Sequence, residues 1–490
     1  MSSKILINAV DPAECRIAKV KNNKLEDFHI ETAAREITQG NIYKAVITRI
    51  EPSLQAVFVD YGAERNGFLQ KHEIHQDYYQ DLTSGDTSIT NIVKKGQELL
   101  VQVSKDPIMK KGAMMTTYIS LAGRYVVLMP GHETKGVSRK IEDDTERVRL
   151  KGILKDAKLP EGFGAIVRTA GAGCTKTQIT RDLRYLMRLW KTIKESVMKV
   201  ESPHLMHKEQ NLVLRVIRDY FTSDVTEILV DDASVHQEAK KFMNIISPKH
   251  TKIVKHYRGE KPIFTKHQLE EQIATIYESR VGLKSGGSIV IQPTEALVAI
   301  DVNSGKATQK KSVEQTALQT NLEAVEEIAR QLRLRDLGGI IILDLIDMRE
   351  SKHKTEVERT LKTFLKEDKA KTKVSRISKL GLIEMSRQRL SPSIDFGSFE
   401  PCKFCGGKGQ TPSVEKLGLG FLRQLNLETI KQEVTQVKAV VPHGVAEFLL
   451  NRKRKEINEL EVRRDLTITI IGDRNMVPGE NRITVDKSKK

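Results

Sequence analysis

Two acidic side chains stand where apolar segments end. Leu297–Ile300 runs into Asp301, and Ile340–Leu343 runs into Asp344. Two carboxylates held close together repel each other, and a hard divalent cation relieves that repulsion. Mg²⁺ accepts one or two carboxylates while it keeps several waters. Such an ion can orient a water molecule and stabilise the charge that grows on a phosphoryl oxygen. The pair therefore predicts a metal site that acts on a phosphate ester.

The surrounding elements predict that these carboxylates meet. Ser288–Gln292, Ala296–Asp301 and Ile340–Asp344 are expected to be strands. Before the last of them, apolar positions recur at helical spacing: Leu318, Leu322, Val325, Ala329 and Leu332. A strand–helix–strand unit has parallel strands and a right-handed crossover. Asp301 and Asp344 should then lie roughly 5 Å apart at the edge where open α/β sheets bind ligands.

Neighbouring residues extend this candidate site. Asn303 lies two residues beyond Asp301, so strand alternation points both side chains to the same face. Asp347 is a third candidate carboxylate, but it faces away unless the strand has ended before it. Three lysines follow and could hold adjacent phosphates: Lys306, Lys310 and Lys311. The alternative interpretation is that strand-end aspartates cap turns and helices without binding a metal.

Composition limits the class of protein. The chain has 490 residues, 39% hydrophobic and 30% charged, which is typical of a globular protein of about three domains. No apolar stretch approaches the roughly 18 residues of a membrane span. The four cysteines are too few for a disulfide framework and predict a reducing cytoplasm. The net charge of +17 favours a polyanionic partner, although it also fits a basic but ordinary enzyme.

Residues 36–120 form a block of short β-rich runs. The number of these runs favours a small barrel, with the OB-fold as the leading candidate. The runs are Asn41–Ile50, Gln55–Asp60, Asn66–Leu69, Glu98–Ser104 and Thr116–Leu121. Further along, Leu212–Ile217 and Glu227–Val230 are predicted to be buried strands. A helix is predicted from apolar positions spaced by three and four residues: Ile179, Leu183, Leu186, Trp190, Ile193 and Val197.

Two shorter motifs could bind ligands. Arg168 and Thr169 lie in a glycine-containing turn before the helix that starts near Thr177, and free N–H groups at a helix N-terminus suit an anion. The guanidinium could grip phosphate bidentately; an ordinary tight turn is the alternative. Cys402 and Cys405 form a C-x₂-C pair before two glycines, the shape of a zinc knuckle. Since zinc prefers four ligands, the pair is either half of a shared site or two reduced thiols.

The remaining cysteines stand alone. Cys15 and Cys174 lie in unrelated segments and are predicted to be buried structural thiols.

Several long strings resemble the bacterial ribonuclease E/G family over roughly residues 1–412. AIDVNSGKAT, TNLEAVEEIARQLRLRDLGGIIILDLIDM and GLIEMSRQRLSPS resemble its catalytic core. IEPSLQAVFVDYGAERNGFL resembles its RNA-binding barrel, and LPEGFGAIVRTAG resembles its 5′-end sensor. The resemblance implies an α/β multidomain fold: an RNase H-like subdomain (1–35 and 212–278), an inserted OB-fold barrel of the ribosomal-protein type (36–120), a 5′-sensor (121–211), a DNase I-like catalytic subdomain (279–399), a zinc link (400–412) and a small C-terminal α/β domain (413–490).

The resemblance also implies an activity. Asp301 and Asp344 correspond to the Mg²⁺-binding aspartates, and Asn303 to the residue that supports the first of them. The implied reaction is hydrolysis of an internal phosphodiester in single-stranded RNA, in RNA processing and decay, leaving a 5′-phosphate and a 3′-hydroxyl. Two alternatives stay open: a catalytically silent RNA-binding protein, and a metal-dependent phosphatase or DNA nuclease.

Further residues match the family's RNA contacts. Phe58, Phe68 and Lys111 match positions that hold single-stranded RNA on the barrel, although Phe58 in its apolar run could equally be core. Arg168 and Thr169 match residues that bind the substrate's 5′-monophosphate, and a further basic residue of that pocket is matched by Arg139. An arginine-rich stretch of the family reads Asp368-Lys369-Ala370-Lys371 here, and lysine lacks the planar fork of arginine. The role of Lys371 in 5′-end sensing is therefore in doubt.

The resemblance further implies an assembly. Two chains would each give Cys402 and Cys405 to one structural Zn²⁺, forming a dimer, and two dimers would form a tetramer. Here Lys403 replaces the family's proline after the first cysteine, but both ligands are kept. We expect a cytoplasmic protein with no transmembrane segment and no long scaffold tail, and therefore no partners that dock on such a tail.

Overall fold

The structure is a computed structural model, and it describes residues 2–32, 38–80, 88–107, 112–157, 159–222, 224–305, 312–390, 393–394, 399–430 and 434–487. The chain divides into two compact units, Met1–Asp395 and Phe396–Lys490. In the described part of the chain, no helix has both the length and the apolar character that a bilayer crossing needs.

The first elements are three antiparallel strands: β1 (Ser3–Asn8), β2 (Glu14–Lys21) and β3 (Lys24–Thr32). Asn22 and Asn23 connect β2 to β3 and have φ values of 51° and 61°. Two consecutive residues with positive φ are typical of a type I′ hairpin turn, and Asn adopts that conformation readily. Ile5, Leu6 and Ile7 are fully buried, which shows that β1 is covered on both faces.

A closed barrel comes next. Its elements are β4 (Ile42–Glu51), β5 (Ala56–Asp60), β6 (Gly67–Gln70), α1 (Ile89–Ile92), β7 (Glu98–Lys105) and β8 (Met114–Thr116). The strands pair in the order β4-β5-β6-β8-β7, and β7 closes the barrel on β4. Thr116–Leu121 is not one strand as predicted. The backbone N–H and the hydroxyl of Thr117 both donate to the Glu73 carbonyl, which turns the chain away from the barrel.

A small sheet flanked by two long helices follows. Its elements are β9 (Leu121–Ala122), β10 (Val126–Pro130), β11 (Lys135–Val137), α2 (Asp144–Asp156), β12 (Phe163–Val167), α3 (Lys176–Val197) and β13 (His204–His207). The strand order is β11-β12-β10-β9, and β13 instead joins the barrel beside β4. The predicted helix is confirmed as α3, which begins with a capping box made by Thr175 and Gln178.

The next segment returns to the first sheet. Its elements are α4 (Leu212–Tyr220), β14 (Val225–Val230), α5 (Ala233–Ile246), β15 (Val254–His256), α6 (Ile263–Lys266) and α7 (Glu270–Ala274). The sheet order is β15-β14-β1-β2-β3, with β14 parallel to β1. The barrel and the small sheet are therefore inserted between two parts of one sheet.

The predicted strand at Leu212–Ile217 is wrong, because these residues form most of α4. The Asn211 side chain accepts a hydrogen bond from the Leu214 N–H and caps the helix. The buried apolar positions recur after four residues, which is the spacing of one helix face: Leu212, Val213, Val216 and Ile217. A run this short and apolar fits a strand equally well when periodicity is the only signal.

The last sheet of the first unit carries the acidic pair. Its elements are β16 (Arg280–Gly282), β17 (Ser288–Pro293), β18 (Leu297–Asn303), α8 (Val313–Leu334), β19 (Gly339–Asp344), α9 (Ser351–Leu365), β20 (Thr372–Val374) and β21 (Leu382–Arg387). The order is β16-β17-β18-β19-β21-β20, and β18 runs parallel to β19. The predicted β-α-β unit with parallel strands is confirmed, and α8 and α9 pack in the core beneath it.

The second unit is a small α/β fold. Its elements are α10 (Val414–Thr429), β22 (Val434–Pro442), α11 (His443–Arg452), α12 (Arg454–Arg464), β23 (Thr467–Asp473) and β24 (Arg482–Lys487). The strands pair in the order β23-β22-β24, with β22 parallel to β23. Val437 and Leu449 are fully buried and join its core with Leu425. The domain boundaries drawn from the sequence stay a prediction.

Candidate functional site

The acidic pair lies in register on two neighbouring parallel strands. Asp301 on β18 is the Cα partner of Asp344 on β19. Ile300, Val302 and Leu343 are buried in the core, so alternation leaves both aspartates exposed on the other face. The structure therefore brings together the two carboxylates that the sequence predicted to meet.

Hydrogen bonding leaves most of the carboxylate oxygens available. The Asn303 side-chain amide donates to Asp301 Oδ2 at 2.7 Å, so Asn303 orients Asp301 as the strand alternation predicted. Among the described residues, no Lys, Arg or His forms an ion pair with Asp301 or Asp344. The three lysines of the candidate phosphate cluster, Lys306, Lys310 and Lys311, lie outside the described residues. Two exposed carboxylates without a cation fit a hard divalent ion that keeps several waters.

The segment after β19 is fixed by Asn321, which is fully buried on α8. Its amide donates to the Ile346 carbonyl at 2.8 Å, and its oxygen accepts from the Ile346 N–H at 3.0 Å. Asp347 follows on this segment and is exposed, and the strand has ended at Asp344. Asn321 thus holds the backbone between Asp344 and Asp347 against α8, the helix that joins β18 to β19.

Glu314 fixes the same segment further along. Its carboxylate accepts the backbone N–H groups of Arg349 and Glu350 at 3.1 Å, and it contacts His353 Nδ1 at 2.8 Å. These hydrogen bonds lower the pKa of Glu314 to about 2. Neither Glu314 nor Asn321 was predicted, since their partners lie 25 or more residues away along the chain.

The barrel presents two aromatic rings on its outer face. Phe58 on β5 is the register partner of Phe68 on β6, and their rings meet edge to face at 5.6 Å. The flanking Val57, Val59 and Leu69 are fully buried, whereas both phenylalanines are half-buried. The core-packing alternative for Phe58 is therefore wrong.

Arg49 adds a cation to this face. Its guanidinium lies over the Phe58 ring, 4.5 Å from the centroid. Lys111, the predicted basic partner of the rings, lies outside the described residues. Tyr61 is buried in the barrel core and packs edge to face on Tyr43, so neither extends the aromatic face.

The predicted anion-binding turn lies at the ends of two parallel strands. Val137 of β11 is the register partner of Val167 of β12. Arg168 directly follows Val167, and Arg139 lies two residues beyond Val137. Thr169 is exposed, as is Arg139. The structure therefore places all three predicted residues at one edge of the small sheet.

The Arg168 guanidinium is held on one side. Its Nη1 donates to the Gly123 carbonyl at 2.7 Å and contacts Asp219 Oδ1 at 2.7 Å. Burial would raise the pKa of Asp219, but Arg218 and Arg168 lower it to about 2. Asp219 was not predicted, because it lies beyond the predicted strand Leu212–Ile217 and 51 residues from Arg168 along the chain.

A loop from the last sheet of the first unit approaches the same edge. Lys140 Nζ donates to the carbonyls of Asp368 at 2.7 Å and Ala370 at 3.1 Å, and also to that of Lys369. Lys371 is exposed and follows directly. Lys140, which the sequence did not single out, thus anchors the segment 368–371 beside the predicted anion-binding turn.

The cysteine pair lies on a tight glycine-rich turn. The Gly406 N–H donates to the Cys402 carbonyl at 2.7 Å, and the Gly409 N–H donates to Cys405 Sγ at 3.3 Å. Gly409 and Gly407, with φ of 71° and 86°, adopt a backbone that residues with a Cβ rarely reach. Their N–H groups lower the pKa of the Cys405 thiol, which favours the thiolate that zinc requires.

The other two cysteines have a different environment. Cys15 and Cys174 are half-buried, so they are less enclosed than predicted. Burial and the nearby Glu31 and Asp231 raise the pKa of Cys15 to about 12, which disfavours a thiolate. Within the described ranges, no group of three or more His, Cys, Asp or Glu side chains clusters as a metal site. Each candidate metal site therefore offers two protein ligands per chain.

Three family models match this chain, and together they cover most of residues 36–487. The model of the Ribonuclease E/G family matches residues 120–390, which is more than half of the chain. The S1 RNA binding domain matches residues 36–105, the region of the barrel. The RNase E/G, Thioredoxin-like domain matches residues 401–487, which includes both knuckle cysteines.

Comparison with curated proteins finds relatives about twice as long as this chain and relatives of similar length. Ribonuclease E of Haemophilus influenzae is 46% identical over 470 residues, 95% of this chain and 50% of that protein. Ribonuclease E of Escherichia coli is 45% identical over 466 residues, 94% of this chain and 44% of that protein. Ribonuclease G of Salmonella typhimurium is 35% identical over 469 residues, 94% of this chain and 95% of that protein. The chain thus spans about half the length of the ribonuclease E relatives and nearly all of ribonuclease G. These matches show that the chain belongs to the ribonuclease E/G family.

Proposed function

We propose that this protein is a Mg²⁺-dependent endoribonuclease that hydrolyses internal phosphodiesters of single-stranded RNA, in RNA processing and decay in the cytoplasm. The observation that carries the proposal is the Asp301–Asp344 register pair, supported by Asn303, in a chain whose relatives are named ribonucleases. A bound Mg²⁺ would supply a polarised water and stabilise the charge on the phosphoryl oxygen.

The chain's own residues prepare that site. Asp301 and Asp344 would hold the ion, and Asn303 fixes the rotation of the Asp301 carboxylate through its 2.7 Å hydrogen bond. Asn321 and Glu314 keep the segment after Asp344 in place. Because these groups are positioned before substrate arrives, little reorganisation is needed when charge develops. The expected products carry a 5′-phosphate and a 3′-hydroxyl.

The barrel would hold the RNA strand. Phe58 and Phe68 present ring surface on the outer face, where bases can stack without sequence preference. Arg49 adds a positive charge beside them, and Lys111 is proposed to contact the RNA backbone. The match of this region to an S1 RNA binding domain supports the assignment.

We further propose a preference for substrates with a 5′-monophosphate. Arg168, Thr169 and Arg139 lie at one sheet edge and offer guanidinium and hydroxyl donors that suit a terminal phosphate. A 5′-hydroxyl end lacks the charge that these donors would bind.

Removal of the metal tests the proposed chemistry. With a short single-stranded RNA that carries a 5′-monophosphate and an internal label, we expect cleavage in Mg²⁺ and none after chelation with EDTA. Activity should return when Mg²⁺ is added back, because the carboxylates stay in place. Zn²⁺ is replaced in every sample, since EDTA also removes the structural zinc proposed below, and Zn²⁺ alone should not restore cleavage. The new ends are identified by mass spectrometry. Cleavage that persists in EDTA, or products with a 2′,3′-cyclic phosphate, would contradict a metal-activated water.

For the knuckle, we propose a structural Zn²⁺ shared between two chains. The two cysteines supply half of a four-ligand site, and the lowered pKa of Cys405 favours metal binding. A zinc ion held by Cys402 and Cys405 of each of two chains would form a homodimer, and pairing of dimers would form a tetramer.

The variant Cys402→Ser tests the shared zinc. We expect the zinc content to fall from about one ion per two chains to near zero, because two ligands are lost from each four-ligand site. Sedimentation velocity should show a shift to smaller species. Cys174→Ser is the matched control and should keep both zinc and assembly. An unaltered sedimentation profile for Cys402→Ser contradicts the shared site.

A further inference from the structure

The Arg168 guanidinium is anchored through only one of its three nitrogens. Both of its contacts, to the Gly123 carbonyl and to Asp219 Oδ1, are made by Nη1 at 2.7 Å. Among the described residues, none accepts a hydrogen bond from Nε or Nη2. The side chain of Arg168 remains 26% exposed. The edge formed by Nε and Nη2 is therefore available to an external acceptor.

Asp219 is itself rigidly held. Arg218 donates from Nε to Oδ1 of Asp219 at 3.0 Å and from Nη2 to Oδ2 at 3.3 Å. The Arg218 side chain is only 8% exposed, and its Nη1 donates to Glu209 at 2.7 Å and to the Ala122 carbonyl at 3.2 Å. Asp219 thus has a fixed position from which it can determine the orientation of Arg168.

From this geometry we propose that Asp219 is a positioning residue for recognition of the terminal phosphate. By binding Nη1, it presents the Nε–Nη2 edge of Arg168 to the phosphate, and this edge makes the paired N–H···O contacts that a guanidinium forms with phosphate oxygens. Asp219 acts through Arg168 and does not touch the phosphate. The proposal rests on the 5′-monophosphate preference proposed above and adds a determinant of that specificity.

The charges around Asp219 keep the pocket attractive to an anion. Arg168 and Arg218 supply two positive charges against the carboxylates of Asp219 and Glu209, so these four side chains balance before Lys369 is counted. Lys369 Nζ donates to the Asp219 backbone carbonyl at 2.6 Å, and burial lowers the pKa of Lys369 to about 7, so this side chain adds only part of a positive charge near neutral pH. The carboxylate can therefore orient Arg168 without making the site repel phosphate.

The test measures kcat/KM for one RNA prepared with a 5′-monophosphate and with a 5′-hydroxyl. For Asp219→Ala, we expect the ratio of the two values to fall about tenfold, since a misdirected guanidinium loses the bidentate contact. The loss should appear as a higher KM for the monophosphorylated RNA with kcat little changed. Asp219→Asn should restore part of the ratio, because its amide oxygen can keep the contact with Nη1. Thermal melting confirms that each variant is folded.

Two further variants separate the possible results. Arg168→Ala should lower the ratio at least as much as Asp219→Ala. If Arg168→Ala lowers it while both Asp219 variants keep the wild-type ratio, the positioning role is wrong and the 5′-monophosphate preference stands. If Arg168→Ala also leaves it unchanged, the sensing pocket lies elsewhere and the positioning role fails with it, whereas a wild-type ratio near one would overturn the 5′-monophosphate preference itself. Asp156→Asn is the charge-matched control: it breaks an exposed ion pair between Asp156 on α2 and Lys176 on α3 and should not change the ratio.

Discussion

Asp344→Asn should reduce the rate of RNA cleavage at least about a thousand-fold, while RNA affinity stays within a few-fold. The amide has nearly the shape of the carboxylate but lacks the charge that would hold the proposed metal ion. Metal-ion stabilisation of the transition state contributes several kcal/mol, and each 1.4 kcal/mol is a factor of ten in rate. Asp344 suits this test better than Asp301, whose replacement would also disturb the hydrogen bond from Asn303.

The control for this prediction is Glu295→Gln. It makes the same change from carboxylate to amide at an exposed residue just before β18, at the far end of the strand from Asp301. Single-turnover cleavage and RNA binding by fluorescence anisotropy are measured for both variants. Turnover at the normal rate in Asp344→Asn would show that the carboxylate pair is not the catalytic centre. The protein would then be better described as an RNA-binding protein without catalysis.

The second large effect concerns stability. Arg387 at the end of β21 is 4% exposed and pairs with Asp368 at 2.6 Å and Asp336 at 2.9 Å, and it also donates to the Leu337 carbonyl. We expect Arg387→Met to lower the free energy of unfolding by about 3–5 kcal/mol, because it leaves the buried Asp368 carboxylate without a compensating charge.

The loss of stability must be measured in the sheet that contains Arg387, since a chain of several domains does not unfold in one step. Hydrogen exchange followed by mass spectrometry reports the opening of β19 and β21 directly. Arg359→Met is the matched control, because Arg359 is exposed on α9 and should change stability by no more than about 0.5 kcal/mol. The double variant Asp368→Leu/Arg387→Met should recover part of the loss. Unchanged exchange in Arg387→Met would mean that the ion pairs contribute little.

The sheet edge that carries the carboxylate pair could be predicted because its signals are local in the sequence. Leu297–Ile300 and Ile340–Leu343 each run directly into an aspartate, and the helix between them has a clear period. Parallel pairing of the two strands then follows from the helical crossover between them and places Asp301 beside Asp344. For the barrel, alternation would have placed Phe58 on the outer face, since Val57 and Val59 are both buried. The apolar character of the run concealed that alternation.

What could not be predicted depends on contacts between distant segments. Asn321 and Glu314 look like ordinary helix residues until the fold places Ile346 and His353 beside them. Asp219 contacts Arg168 across 51 residues of sequence, and Lys140 contacts Asp368 across 228. Side chains of this kind carry no spacing pattern of their own. Their partners are determined by how the sheets and helices pack, and a single sequence does not reveal that.

The division of the first sheet has a consequence for synthesis on the ribosome. Strand β1 lies between β2 and β14, and Ile7 pairs with Val230. Asn8 and Asp231, which bond across this pairing, are 223 residues apart. At the usual elongation rate of 5–20 residues per second, the open edge of β1 waits roughly 10 to 45 s for its partner. A nascent chain stalled in this interval would expose an unpaired apolar strand, which is a template for aggregation.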